Sequence, residues 1–402
     1  MSWSLIANND DLRAVLATIS EESEVAVDTE FMRRNTFFPQ VALLQLGVAG
    51  KAWLIDPLGI TDLEPLRRFL TDPRCLKILH SCSEDLEVFR CWLDTSPSPL
   101  VDTQRAAALL GEGFGLGYRG LVERLCAIEL DKGETRSNWL QRPLTESQCH
   151  YAAQDVLHLI PAWRALRDRS IDLGRLDWII EEGREVARQQ LQREADGFRR
   201  VKGSGKLSRR QLETLRRLYD WRERRARTTD KPRGWVLEDR ACLTLAVERP
   251  GHREALAALD VVPAGLLRKS GDAILECIAE ASSTPEMELP LPAKSVLPPD
   301  ERVLFKTLRD QLKLLCSELG IAPEIALAGA DLEVLFREER GLSRRTEIQP
   351  LVSPADSLNA TADNVSSPSP DPGVVGAAPS RWNGWRRKAI IEPLQQFLVA
   401  QS

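Results

Sequence analysis

Asp28 and Glu30 close the apolar run Val25-Ala26-Val27. If that run is a strand, positions i and i+2 point to the same face, and both carboxylates aim into one space. Asp85 opens a helical segment directly after the β-prone stretch Lys77–His80. Tyr151 and Asp155 stand at i and i+4 of a further helical segment, one above the other on one face. Acids gathered without basic partners repel one another, and hard divalent cations with oxygen ligands relieve that repulsion. Two such ions about 3.5–4 Å apart can stabilise both the attacking and the leaving oxygen of an in-line phosphoryl displacement. In such a site the acids place the metals, and Tyr151 would orient a water or accept its proton. Taken singly, each element has an ordinary explanation. D-x-E after an apolar run is common, Asp85 and Glu84 suit a helix start, and Tyr-x-x-x-Asp is usually packing plus solvent. The ordered set, each member on the right kind of element, points to phosphodiester chemistry.

Strands and helices must alternate to bring these acids together. Val41–Val48, Ala52–Ile55 and Lys77–His80 are β-rich, and helical periodicity marks Leu63–Leu70, Leu86–Leu93, Arg105–Leu110 and Leu116–Cys126. The pattern predicts an α/β domain whose first three strands, at about 25–55, form an antiparallel meander. A longer helix is predicted from Thr145, which forms a capping box with Gln148, through Val156 and Leu159, with Pro161 kinking or dividing it.

Beyond about residue 165 strand signals fade. Leu207–Arg227 is amphipathic, with Leu207, Leu212, Leu215, Leu218 and Tyr219 on one face and arginines on the other. Thr214-Leu215-Arg216-Arg217 is echoed about 93 residues later by Thr307-Leu308-Arg309-Asp310, which suggests two related helical modules joined by a Pro-rich stretch at Thr284–Pro299. Residues from about 349 to 380 are Ser-, Pro-, Ala-, Asp- and Gly-rich and read as a disordered insertion, with order resuming at Trp382.

The segments VAVDTEF, HSCSEDLEVF, VDTQRAAALLG and YAAQDV resemble the exonuclease motifs of the DEDD superfamily, in the subtype with a tyrosine in the third motif. Within it they are most similar to the ribonuclease D family. The resemblance covers about residues 1–170, including the intervening KGETRSNWLQRPLTESQ, and the later modules resemble the two HRDC domains that follow the nuclease in that family. It implies a ribonuclease H-like α/β domain with a mixed central sheet, followed by two all-α HRDC helical bundles. The expected division is a nuclease at 1–170, a basic helical connector at 171–205, a first HRDC domain at 206–285, a linker at 286–296, and a second HRDC-like domain at 297–402 interrupted at about 349–380.

The resemblance also implies roles. Asp28 would bridge two divalent ions, Mg²⁺ or Mn²⁺. Glu30 and Asp155 would complete the site of the ion carrying the attacking water, Tyr151 would position that water, and Asp85 would hold the second ion. Asp102 would be structural. Phe31, Met32, Gln45 and His80 would neighbour the substrate.

The net charge of −5 argues against a uniformly basic nucleic-acid binder, yet Arg184–Trp235 holds about 17 Lys and Arg against about 7 Asp and Glu. The eight cysteines form no C-x-x-C pair, which argues against structural zinc and favours reduced thiols. No stretch reaches the roughly 18 apolar residues of a membrane span, and the N-terminus lacks a signal-peptide pattern, so a cytoplasmic location is expected. Gly115-Leu-Gly117-Tyr-Arg-Gly120 is a literal G-x-G-x-x-G, but a helix-like segment precedes it, so it reads as a turn. Gly203-Ser-Gly205-Lys206 lacks the Ser or Thr of a P-loop. The tryptophans of the C-terminal half read as core residues.

The function expected is a metal-dependent 3′→5′ exoribonuclease releasing 5′-mononucleotides and trimming structured RNA such as tRNA precursors. The alternatives are a DNA 3′→5′ exonuclease or a non-catalytic nucleic-acid-binding module. The expected partner is RNA with a free 3′ end, without membrane or obligate protein partner, and a monomer is expected. Deletion from about residue 206 onward is expected to spare cleavage of short oligonucleotides.

Overall fold

The computed structural model describes residues 2–20, 22–130, 133–134, 137–195, 197–291, 297–342 and 382–401, with the backbone alone for 190–195. Strands β1 (Ser2–Ile6), β2 (Glu24–Met32), β3 (Gln40–Val48), β4 (Lys51–Ile55), β5 (Leu76–Leu79) and β6 (Leu100–Asp102) form one sheet in the order β1-β4-β3-β2-β5-β6. β2, β3 and β4 are the antiparallel meander that the close spacing predicts. β1, β5 and β6 add in parallel to β4, β2 and β5. The sequence reading misses β1 and β6. The former is an edge strand with only Ile6 buried, and the latter has three residues, so neither carries a periodic signal.

Alternation along the strands divides the sheet into two faces. Val25 and Val27, Leu44 and Leu46, Trp53 and Ile55 point one way. They pack with residues of helices α1 (Asn9–Ile19), α2 (Glu64–Thr71) and α3 (Ser83–Leu93) in one apolar core. Ala26, Asp28 and Glu30 therefore point the other way. After α4 (Thr103–Leu109) and α5 (Tyr118–Cys126), helices α6 (Glu146–Leu157) and α7 (Leu159–Asp172) follow. α6 lies on the acid-bearing face, close enough that a Cβ on Gly47 of β3 would meet the Val156 Cβ at 2.7 Å. Its capping box is formed: the Thr145 N–H donates to Gln148 Oε1 (2.9 Å) and the Gln148 N–H to Thr145 Oγ1 (3.1 Å). The break comes at His158, before Pro161. Pro161 sits in the first turn of α7, where a missing N–H costs no helical bond.

The chain then becomes helical. It runs through α8 (Leu176–Ala195), α9 (Arg209–Thr229), α10 (Arg233–Val236), α11 (Asp239–Glu248), α12 (Arg253–Ala258) and α13 (Ala264–Ser283). Leu212, Leu215, Leu218, Leu245, Leu256 and Ile274 build the core of this module. Contacts divide the chain into two compact units, Met1–Leu297 and Pro298–Ser402, so the module at 206–285 belongs to the same unit as the nuclease sheet.

The second unit contains α14 (Pro299–Leu319), α15 (Pro323–Ala326), α16 (Gly329–Glu339), a π-helical turn at Arg387–Ile391 and α17 (Glu392–Ala400). α14, α15 and α16 each start 90 positions after α9, α10 and α11. Buried Leu218, Arg222 and Ala226 correspond at that interval to buried Leu308, Leu312 and Cys316. The Thr-Leu-Arg echo at 93 is thus almost one helical turn out of register with the repeated elements. The expected insertion at 349–380 lies outside the described residues, as do 292–296 of the expected linker.

All eight cysteines are free, and six of them are buried. Trp382 and Trp385 fill core positions as expected, but Trp235 is 63% exposed. Among the described residues no helix is long and apolar enough to cross a membrane.

Candidate active site

The far end of β2 carries Asp28 and Glu30 toward α6, which delivers Asp155 from above. Asp28, Glu30 and Asp155 each offer a carboxylate oxygen, and the three oxygens lie within 4.8 Å of one another. All three residues are half-buried, so the cluster is desolvated yet reachable. Asp85, in the first turn of α3, approaches from the other side of β2. Its Oδ1 accepts a 2.5 Å hydrogen bond from the hydroxyl of Thr29, whose side chain occupies the opposite strand face from Asp28 and Glu30.

The electrostatics follow from this crowding. Burial, then the charges of Asp85, Asp155 and Glu30, raise the Asp28 carboxyl well above its ordinary range. Burial with Asp155 and Asp85 pushes Glu30 up to about 9. Burial raises Asp155 to about 7. It also raises Asp85 to about 6, against the opposing effect of the Thr29 hydrogen bond. These acids cannot all be ionised together without a counter-charge. An all-oxygen donor set of this kind fits a hard divalent cation.

Tyr151 lies one turn before Asp155, and burial followed by the Asp155 charge raises its phenol above its ordinary value. Trp139 stands 6.1 Å from its ring, and Gly133 approaches so closely that a Cβ there would meet Tyr151 Cδ2 at 1.8 Å. The segment holding Gly133 and Trp139 is tied to α6 by Ser147 Oγ donating to Glu134 Oε1 (2.7 Å) and Gln148 Nε2 donating to Ser137 Oγ (2.7 Å). Arg142 pins it to the sheet, donating to Asp56 Oδ2 (2.6 Å), Asp56 Oδ1 (2.8 Å) and the Ala42 carbonyl (2.7 Å).

Of the expected neighbours of the substrate, Phe31 and Met32 are half-buried at the outer end of β2. Gln45 pairs directly with Asp28 across the ladder, on the same face of the sheet, and is fully buried. His80 is turned inward. Its Nδ1 lies 2.9 Å from Thr103 Oγ1, whose hydroxyl is also 3.0 Å from the Leu79 carbonyl. Burial lowers the His80 pKa. Its ring meets Tyr118 edge-on at 5.7 Å. Asp102 accepts from the backbone N–H groups of Ser81 (2.9 Å), Cys82 (3.2 Å) and Gln104 (2.9 Å), which fixes the turn leading into α3.

The sequence reading passes over Thr29, Tyr118, Gly133 and Trp139. Thr29 was legible in principle, since it sits between the two acids with opposite strand parity. Tyr118 is the first residue of α5, and its hydroxyl donates to the Gln154 carbonyl (2.7 Å), one residue before Asp155. No local pattern announces that contact.

Between Ser83 and Glu84 at the start of α3 and the first helical module lies a cleft of about 780 Å³ lined also by Arg33, Arg200, Tyr219 and Arg227. Much of the basic tract is committed to ion pairs. Arg216 and Arg217 pair with buried Glu213, Arg222 with Asp239 and Arg233 with Glu223.

A 3′-5′ exonuclease family model matches residues 4–170, and an HRDC domain model matches 211–278. The chain is 43% identical over 316 residues to ribonuclease D of Pseudomonas paraeruginosa, covering 78% of this chain and 84% of that protein. It is 34% identical over 356 residues to ribonuclease D of Escherichia coli, covering 88% and 95%. The crystal structure of Escherichia coli RNase D, described as an exoribonuclease involved in structured RNA processing, superposes with a TM-score of 0.81 at 31% identity over 100% of this chain and 99% of that one. A mixed sheet with clustered acids, followed by an HRDC-bearing helical region, defines a 3′→5′ exoribonuclease that uses divalent metal. At these identities and coverages the chain belongs to the ribonuclease D family.

Proposed function

We propose that the enzyme uses two divalent ions, Mg²⁺ or Mn²⁺, to trim 3′ extensions of structured RNA such as tRNA precursors, releasing 5′-mononucleotides. The observation that carries this reading is the set of three carboxylate oxygens within 4.8 Å of one another on Asp28, Glu30 and Asp155. Asp28 would be shared by both ions, Glu30 and Asp155 would hold the first, and Asp85, kept in place by Thr29, the second. When bound, the ions supply charge stabilisation to the attacking and leaving oxygens. The four carboxylates would hold them in a desolvated site. Tyr151, whose phenol stays protonated, donates a hydrogen bond that orients the attacking water. Phe31 and Met32 flank the terminal nucleotide.

In this reading the nuclease occupies 1–170, the HRDC modules 206–285 and 297–402, and the modules grip the RNA body. The tract around α9 supports phosphate contact, and binding would weaken steeply with salt. The protein would act as a monomer in the cytoplasm. The test is digestion of 3′- and 5′-labelled RNA, with a matched DNA strand, in Mg²⁺, Mn²⁺ and EDTA. Stepwise 3′ shortening of RNA that stops in EDTA is expected. Internal cuts, or activity that survives EDTA, would refute the reading.

A further inference from the structure

The ladder between β2 and β3 shifts register between Glu30 and Phe31, so regular pairing weakens where Glu30 must be held in place. The chain that continues from there, residues 33–39, finds its anchors elsewhere. At one end Arg33 pairs with Glu87 of α3, two residues beyond Asp85. At the other end Phe37 is 5% exposed and sits in a small apolar seat with Ala226 of α9 and Val236 of α10. The Arg227 and Arg233 guanidinium carbons lie 4.9 and 4.5 Å from its ring centroid, and Arg233 is itself paired with Glu223. Asp230, the left-handed C-cap of α9 (φ 46°), accepts from both the Phe37 and the Phe38 N–H, each at 3.0 Å.

We infer that Asp230 and Phe37 are positioning residues for the metal site: the first helical module, through the loop 33–39, sets where Glu30 stands relative to Asp28 and Asp155. The inference rests on the proposed reading of those three acids as metal ligands. The skipped residue is Ala42 of β3, so the ladder is interrupted beside Glu30 before it resumes at Phe31 and Met32, and three oxygens gathered by folding bind a cation well only if their spacing is held beforehand. The two N–H bonds to Asp230 and the ring seated between guanidiniums fix the loop at its tip. Arg33–Glu87 then couples it to the element that carries Asp85. The module therefore acts on catalysis as well as on RNA.

The test is Mn²⁺ binding to the full-length, RNA-free enzyme by calorimetry, with thermal unfolding and amide exchange across β2 measured in parallel. Asp230→Ala should weaken Mn²⁺ binding by roughly tenfold and speed exchange at the end of β2. Asp230→Asn, which keeps an acceptor oxygen, should stay within about twofold of wild type. Wild-type affinity in Asp230→Ala, or equal losses in both variants, overturns the inference. Should Asp230→Ala fail to fold, Phe37→Leu keeps apolar bulk in the seat, and an unchanged Mn²⁺ affinity there overturns it equally. Asp28→Asn separates the two levels of argument. If it binds Mn²⁺ like wild type, the metal-site reading itself fails, whereas loss there with no effect of Asp230→Ala removes only the loop's role.

Discussion

The Thr29 hydroxyl donates a 2.5 Å hydrogen bond to Asp85 Oδ1, so the strand residue between Asp28 and Glu30 holds the acid that arrives from α3. One strand thus organises both sides of the site, two carboxylates through its even positions and a third through the odd one between them. The same bond lowers the Asp85 pKa against burial. Thr29→Val keeps the shape and removes the donor. In the metal-free protein Asp85 should then titrate above about 6, and ¹³C carboxyl shifts would follow it. An unmoved titration would mean that the bond does not form in solution.

The raised carboxyl pKa values tie stability to pH and metal. Glu30 at about 9, Asp155 at about 7 and Asp85 at about 6 all exceed their unfolded values near 4. Between those limits the metal-free folded state holds more protons than the unfolded state, so stability falls as pH rises from about 4 toward 9. Saturating Mn²⁺ should flatten or reverse that fall, because binding to the folded state alone stabilises it and displaces the protons. Thermal midpoints across pH with EDTA or Mn²⁺ check this, as does calorimetry in buffers of different ionisation enthalpy. A metal-free protein whose midpoint rises from pH 5 to 9 would contradict it.

Asp28→Asn and Asp155→Asn each keep side-chain volume and remove a charged ligand. Turnover should drop by on the order of 10³-fold or more in either variant, with RNA binding retained. Single-turnover cleavage and filter binding on the same preparations separate the two effects. Substantial residual cleavage would take these acids out of the mechanism.

Tyr151→Phe should fold normally and cleave about 10- to 100-fold more slowly. Gly133→Ala is a less obvious companion. Its Cβ would meet the Tyr151 ring at 1.8 Å, so the ring or the segment must move, and the variant should show a comparable loss. If Gly133→Ala is as fast as wild type, the segment yields freely and does not hold the ring.

Chain ended at Leu297 retains one complete compact unit. It should keep cleaving short oligonucleotides at near the full-length rate and bind structured RNA more weakly. A cut near residue 206 removes Asp230 together with the Phe37 seat, and the short-substrate rate should fall with it. Equal short-substrate rates for both truncations would restore the simple division between nuclease and grip.

How much of this was legible in the sequence depends on how far apart the interacting residues lie. The meander, the helices after each crossover and the capping box at Thr145 are written in local periodicity, and the structure contains all of them. The internal repeat is visible too, but the Thr-Leu-Arg match lies at 93, whereas buried positions recur at 90. Identity over three residues is a weaker guide to register than the spacing of the side chains that pack at equivalent positions. The basic tract was legible as composition, but not the partners its side chains take within the fold. Its composition points to phosphate contact, and the fold also engages many of those charges in pairs such as Arg217 with Glu213.

By itself the sequence determined the chemistry available: oxygen donors at i and i+2 of a strand, another at a helix start, and a tyrosine one turn before an acid. Residue type and backbone period are enough for that, because each fixes a side chain's direction relative to its own element. Only the tertiary structure decided that Thr29 would clasp Asp85, that Gly133 would lie against Tyr151, and that Asp230 would hold a loop some two hundred residues away. Those contacts join side chains whose directions are set by different elements, and their meeting depends on how the elements pack, which no local pattern encodes.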